Sequence, residues 1–309
     1  MSLLDDDIFL RYQRQIALPD IGETGQCELS KKHVLIVGCG GLGTTVSLFL
    51  VGAGIGSIVL VDHDAVEISN LHRQIAYRES DIGTQKVHAL ANQLRALNHN
   101  CRVRTIDKNT IGEAKKSDKD NKNKERDAQL QLEIMLADVV VDCSDNFPTR
   151  HQINRICYQQ KTVLVTASAI GWNGQLSVHR FLRDSPCYRC LVGETAELSA
   201  RRCQDAGVLG PVVGTMASLQ ALQVIQELLR NIDPNSSLTT HPCARMPSSN
   251  SRPLQANDQV TPNGNMAEFF HFDGRRMQLT SLRYEKDLHC PVCRHSVDAQ
   301  DNSSRQKDG

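Results

Sequence analysis

Short apolar runs and helical-period segments alternate along the first half of the chain. Residues 33 to 38 (HVLIVG) and 58 to 62 (IVLVD) are β-branched stretches of strand length. Between them, TTVSLFLVGAG spaces its apolar side chains as a helix does, with Gly52, Gly54 and Gly56 available to end it. A βαβ unit follows. The run ADVVVDCSDN, about residues 137 to 146, predicts a further buried parallel strand, then a helix from about Pro148 to Gln160 and a strand at 162 to 169 (TVLVTASA). Such alternation predicts an α/β fold, a Rossmann-like, mostly parallel sheet with helices on both faces. Further on, GTMASLQALQVIQELL predicts a long apolar helix, and residues 192 to 206 read as either a helix or a loop over the site.

Two stretches break the pattern. Residues 113 to 127 (EAKKSDKDNKNKERD) carry almost no apolar side chain, so burial cannot offset their ordering entropy and they are expected to be a mobile insertion. Residues 232 to 265, rich in Ser, Pro, Asn and Thr, read as a loose connection to a C-terminal piece. The polar tail after Cys293 is expected to fray.

Composition narrows the function classes. With 309 residues, 40% of them apolar, the chain can bury the core of one principal domain. Lys+Arg and Asp+Glu both total 35, which removes any bulk attraction to nucleic acid or an anionic membrane. The start MSLLDDDIFL lacks the n-region and h-region of a signal peptide, and no apolar run approaches the roughly 20 residues of a membrane span. A soluble, cytoplasmic protein is expected. Eleven scattered cysteines, an odd number, argue against a secreted disulfide framework.

The candidate chemistry starts at Gly38-Cys39-Gly40-Gly41-Leu42-Gly43, between a strand and a helix. Glycines Gly38, Gly40, Gly41 and Gly43 let backbone approach a phosphate, which the helix N-terminus also attracts; without a ligand the same residues make only a tight turn. Asp62 ends the next strand, where a carboxylate can accept from ribose hydroxyls. The fingerprint alone favours NAD. Downstream, Ser69-Asn70-Leu71-His72-Arg73-Gln74 and then Lys86 shift the balance, because two cations suit a triphosphate and its pyrophosphate leaving group better than a hydride transfer. They could equally be solvated surface. In Asp142-Cys143-Ser144-Asp145-Asn146, Asp145 is placed to hold Mg²⁺ at the C-terminal end of its strand, while Asp145 or Asn146 could instead cap the next helix.

Cys187-Tyr188-Arg189-Cys190 and Cys290-Pro291-Val292-Cys293 form two C-x-x-C pairs. Four thiolates match tetrahedral Zn²⁺ without an open position, hence a structural metal; a redox dithiol would need one pair only. Cys203, beside Arg201 and Arg202, has the setting of a nucleophile for sulfur, whereas Cys27, Cys39, Cys101, Cys143, Cys157 and Cys243 read as packing residues.

In this order RYQRQIAL, GCGGLG, SNLHRQ, DCSDN, CYRC, AGVLGPVVG and CPVC closely resemble the ThiF/MoeB family, which adenylates sulfur-carrier proteins and shares its fold with ubiquitin-activating enzymes. The resemblance spans nearly the whole chain apart from the two insertions. It implies a single adenylyltransferase domain: a helical arm (1–32), a nucleotide-binding part (33–170), a carrier-binding and zinc part (171–295) with a zinc-stapled antiparallel portion, and a tail (296–309). It also implies that Gly41, Asp62, Asn70, Arg73 and Lys86 bind ATP, that Asp145 serves Mg²⁺, and that Arg14 reaches into a neighbouring subunit's site, making a homodimer. TASAIGWNGQ and the run from Arg202 to Val208 resemble the thiamine-pathway branch more than the molybdopterin-pathway branch.

The resemblance further implies a ubiquitin-like, ThiS-like carrier as partner, and a sulfur intermediate on Cys203. No rhodanese-like domain follows the zinc pair, so sulfur is expected from a separate persulfide donor such as a cysteine desulfurase. Two other classes compete: an NAD-dependent oxidoreductase, for which no hydride-transfer site is evident, and a non-catalytic nucleotide-binding adaptor, against which Arg73, Lys86 and Asp145 argue. Action on a modified tRNA base is disfavoured by the lack of a basic stripe.

Overall fold

The computed structural model describes residues 4–107, 120–193, 207–230 and 266–294. Helices α1 (Asp6–Ile16) and α2 (Gly22–Leu29) precede β1 (His33–Val37), α3 (Gly41–Gly52), β2 (Ser57–Val61), α4 (Lys86–Leu97) and β3 (Arg102–Ile106). Next come α5 (Asp120–Leu136), β4 (Val139–Asp142), α6 (Phe147–Gln160), β5 (Val163–Ile170) and β6 (Asn173–His179). The short α7 (Tyr188–Leu191), the long α8 (Gly210–Leu229) and the hairpin β7 (Met266–Asp273) and β8 (Gln278–Glu285) complete the order.

The eight strands among the described residues form one sheet in the order β3-β2-β1-β4-β5-β6-β7-β8. Pairing is parallel from β3 to β5 and antiparallel from β5 to β8. The expected Rossmann-like sheet with an antiparallel C-terminal portion is therefore observed. The chain leaves β1 toward β2 on one side and returns to β4 on the other, a switch point that opens a crevice at the C-terminal strand ends. There Val37 is in register with Val61 on one flank and Asp142 on the other.

The two-residue period of the strands divides the core. Val34, Ile36, Ile58 and Leu60 face a layer containing Val46 and Leu50 of α3, Leu90 and Leu94 of α4 and Val224 of α8. Leu35, Val37, Val59 and Val61 face Leu130 and Ile134 of α5 and Ile153 and Ile156 of α6. Helices thus cover both faces.

Three findings amend the sequence reading. The charged stretch 113–127 is not a loop throughout, because α5 begins at Asp120 and is anchored further on by Leu130, Glu133 and Ile134 at helical spacing. Strand β3 was not evident: it is an edge strand whose polar positions alternate, Arg104 pairing with the buried Glu133. Helix α8 is long enough and apolar enough to cross a membrane, with a mean hydropathy of 1.2. Its burial explains this. Gln220, fully buried on α8, donates to the carbonyls of Asp142 and Val165, both at 3.1 Å, and so fixes the helix to the sheet as a core element. The segments around 232–265, residues 194–206 and the residues from 295 onward lie outside the described residues.

Candidate active site and cysteine cluster

The glycine turn is the hub of the crevice. Gly38 has φ +94° and its backbone runs so close to β4 that an added Cβ would stand 2.7 Å from the Cys143 carbonyl oxygen. At Gly43 a Cβ would stand only 1.9 Å from the Gly38 oxygen, so this glycine allows α3 to start hard against the turn. Gly41 lies under Val213 and the Arg73 backbone. These three glycines are accounted for by protein packing.

Gly40, the N-cap of α3, differs. A Cβ there would meet nothing nearer than Gln74 Nε2 at 3.7 Å, and its φ of −78° is open to any residue. Among the described residues, Gln74 is the one neighbour of that position within 4 Å. Gln74 itself is buried, and its Oε1 has no hydrogen-bond partner among the described residues. An open flank on a helix N-terminus, next to an orphaned buried carboxamide, fits a phosphate-bearing ligand.

Asp62 closes the turn from β2. Its Oδ2 accepts the Cys39 N–H at 2.6 Å and its Oδ1 accepts the Asp64 N–H at 2.8 Å, so the carboxylate is fixed at the crevice mouth with lone pairs left for hydroxyl donors. Lys86 opens α4. Its side chain is only 8% exposed and Nζ donates to Asp64 Oδ2 at 2.8 Å, which holds the cation on the crevice side of the strand ends. Tyr77, buried, joins the two regions: its hydroxyl donates to the Cys39 carbonyl at 2.7 Å and lies 3.2 Å from that of Lys86. Burial raises its pKa, so it stays a neutral strut.

Arg73 is half-buried against Gly41, with Nη1 donating to the Ser69 carbonyl at 3.1 Å. Asn70 is buried and its carbonyl accepts the N–H groups of Arg73 and Gln74, which makes the SNLHRQ segment a tight turn against the loop. On the other flank Asn146 caps α6, its side chain accepting from the Thr149 N–H at 3.0 Å. That resolves the capping alternative and leaves Asp145 exposed, three residues beyond the end of β4.

Thus Gly38, Gly40, Gly41, Gly43, Asp62, Asn70, Arg73, Lys86 and the Asp145 segment all border one turn. Arg14 does not. It is exposed on α1, whose buried Tyr12 packs at Gly54 and Asn98, near the opposite ends of the strands. Cys203 lies outside the described residues. Tyr77 and Gln74 are site residues that sequence reasoning missed; Gln74 sat within the quoted SNLHRQ motif, while a lone Tyr77 carried no pattern.

The two C-x-x-C pairs converge although about 100 positions separate them. Their Sγ atoms lie within 4.8 Å of one another, with Cys187–Cys290 at 3.7 Å and Cys190–Cys293 at 3.4 Å. A tetrahedron of sulfurs at about 2.3 Å from Zn²⁺ has an edge of about 3.8 Å, so the donor set fits a Cys₄ ion. The four thiols share hydrogen bonds and shift in opposite directions, Cys190 and Cys290 downward and Cys187 and Cys293 upward, in each case chiefly through the neighbouring sulfurs. At Cys39, Cys101, Cys143 and Cys157 the cause is different: burial pushes their thiols up, as in packing cysteines.

A doubly wound sheet with a glycine turn at its switch point, joined to a four-cysteine cluster, defines an α/β protein of the Rossmann-like class with a candidate nucleotide site. The chain belongs to the ThiF family, whose model matches residues 12–292. It is 39% identical over 290 residues to the sulfur carrier protein ThiS adenylyltransferase of Escherichia coli K12, covering 94% of this chain and 97% of that one. It is 42% identical over 223 residues to the adenylyltransferase and sulfurtransferase MOCS3 of Dictyostelium discoideum, covering 72% of this chain and 48% of that one; the chain thus spans about half of that relative. Among solved structures, E. coli MccB with MccA-N7isoAsn shares the fold at a TM-score of 0.67 and 21% identity, over 94% of this chain and 76% of MccB.

Proposed function

We propose that this protein uses ATP to adenylate the C-terminal glycine carboxylate of a ubiquitin-like, ThiS-like sulfur carrier, releasing pyrophosphate. The observation that carries the reading is the unobstructed Cβ position at Gly40 beside the orphaned Gln74 carboxamide, at a strand-end turn shared with Asp62, in a chain that matches a ThiS adenylyltransferase along nearly its full length.

Asp62 accepts from the ribose hydroxyls, and the Gly40–Gly41 turn receives the phosphates at the start of α3. A carboxylate oxygen of the carrier attacks the α-phosphorus in line; the P–O bond to the β-phosphate breaks, and pyrophosphate leaves with the electron pair. The attacking carboxylate is already ionised at neutral pH, so no general base is required. Arg73 and Lys86 stabilise charge on the phosphates, Lys86 exchanging its Asp64 partner for phosphate oxygen. Asp145 would hold Mg²⁺, which would supply neutralisation of phosphate charge.

Zn²⁺ on Cys187, Cys190, Cys290 and Cys293 would staple the segment after β8 to the body, with no open position for chemistry. Cys203 then takes part in sulfur transfer from a separate persulfide donor, Arg14 completes the site of a second copy in a homodimer, and the protein works in the cytoplasm. The MOCS3 relatives favour a second reading, activation of a molybdopterin-type carrier. ATP–pyrophosphate exchange with thiamine-type and molybdopterin-type carriers side by side separates them. Exchange is expected with the thiamine-type carrier, surviving Cys203→Ala while thiocarboxylate formation falls; exchange with the other carrier alone overturns the pathway, and exchange with neither overturns the activity.

A further inference from the structure

One face of α6 is unexpectedly polar. Arg150 and Asn154, one turn apart, are both buried, Asn154 completely. Burying a guanidinium and a carboxamide in a core helix is costly unless each group is satisfied, and here each serves a different centre.

Arg150 serves the Asp145 segment. Its Nη2 donates to the Ser144 carbonyl and, at 2.8 Å, to that of Ala167, while Nη1 donates to Thr166 Oγ1 at 2.8 Å. Asp142 lies 3.8 Å from the guanidinium and accepts from Ser144 N–H at 3.0 Å and Ser144 Oγ at 2.6 Å. Ser144, next to Asp145, is thereby held through its N–H, its hydroxyl and its carbonyl. Asn154 serves the cysteine cluster: Nδ2 donates to Cys187 Sγ at 3.5 Å and Oδ1 accepts the Tyr188 N–H at 3.0 Å. The Tyr188 side chain lies near enough to Arg150 for the guanidinium to act on its hydroxyl, which brings the two sets of contacts together.

We propose that α6 is a rigid link through which metal on the four cysteines fixes the Ser144–Asp145 segment, with Asn154 and Arg150 as its positioning residues. A metal would draw the Cys187 sulfur into place, and Asn154 and Tyr188 would transmit that placement to Arg150 and on to Ser144. Such outer hydrogen bonds orient metal ligands in general; here they run on into the nucleotide crevice. The consequence for catalysis, a raised Mg²⁺ requirement when the cluster is empty, rests on Asp145 acting as proposed above. The link itself does not.

Amide hydrogen exchange on the full chain without ATP tests it, following peptides that cover 143–147, 187–193 and, as a control for the fold, 57–61. Stripping zinc with a chelator is expected to speed exchange at 143–147 about fivefold or more, the size of losing one net hydrogen bond, while 57–61 stays protected. Asn154→Ser, assayed with one zinc per chain confirmed by metal analysis, is expected to do the same with the metal in place. Opening of 187–193 with 143–147 unchanged overturns the link, and so does wild-type exchange at 143–147 in zinc-loaded Asn154→Ser. If stripping also exposes 57–61, the zinc-loaded variant decides; if the variant does not fold, the stripped wild type decides. Failure of carrier adenylation would leave these exchange results untouched.

Discussion

Gly40→Ala separates a glycine kept for packing from one kept for a ligand. The new methyl group would stand 3.7 Å from Gln74 Nε2, an ordinary contact, at a φ of −78° that alanine adopts freely. Folding should not suffer, and restricting the unfolded chain stabilises by about 0.4–1 kcal/mol. In the proposed complex the same methyl occupies the space a phosphate takes when it meets the turn's N–H groups. Forcing a methyl into an occupied site costs about 1–3 kcal/mol, which at about 1.4 kcal/mol per tenfold is roughly 5- to 150-fold in ATP affinity. Gly43→Ala is the contrast, because its Cβ would overlap the Gly38 oxygen at 1.9 Å and the fold must shift. The assay is calorimetric titration with a non-hydrolysable ATP analogue, beside thermal denaturation of both variants. Weakened binding at unchanged or raised Tm for Gly40→Ala, with a lowered Tm for Gly43→Ala, is expected. ATP affinity within twofold of wild type in a fully folded Gly40→Ala protein would refute phosphate binding at this turn.

Lys86→Met keeps the buried stem of the side chain and removes its charge, so pyrophosphate exchange should fall about 10²–10³-fold with little change in Tm; an unaffected rate removes Lys86 from the site. Cys290→Ser breaks the cluster, and loss of bound zinc together with a lowered Tm is expected; equal zinc content in mutant and wild type would contradict the Cys₄ assignment. His179, fully buried, has its pKa lowered to about 4 by desolvation, against about 6.5 when unfolded. The unfolded chain therefore takes a proton first. Stability is intact above pH 6.5 and declines as pH falls toward 4, by up to about 3 kcal/mol, and urea midpoints for His179→Gln should show a shallower decline across that window. Parallel profiles for the two proteins would remove His179 as the cause.

Much of this protein is readable by local rule. Strand β1, the glycine turn, α3, β2 and Asp62 follow one another within 30 residues, and their order is set by hydrophobic period and by glycine, both of which act over a few positions. The cysteine pairs were equally legible, since metal chemistry tolerates any chain separation that folding can close. Other features depended on the assembled sheet. Whether Asp145 or Asn146 caps α6 was decided by which side chain reached the Thr149 N–H. Tyr77 gained its role because folding brought Cys39, 38 positions away, to its hydroxyl. The polar pair Arg150 and Asn154 is buried because α6 packs between the Ser144 segment and the cysteine cluster, where both find partners. Sequence determines what each segment can form, because propensity and period are local. Tertiary structure decides which buried polar groups find partners, because those hydrogen bonds join residues that only the completed topology brings together.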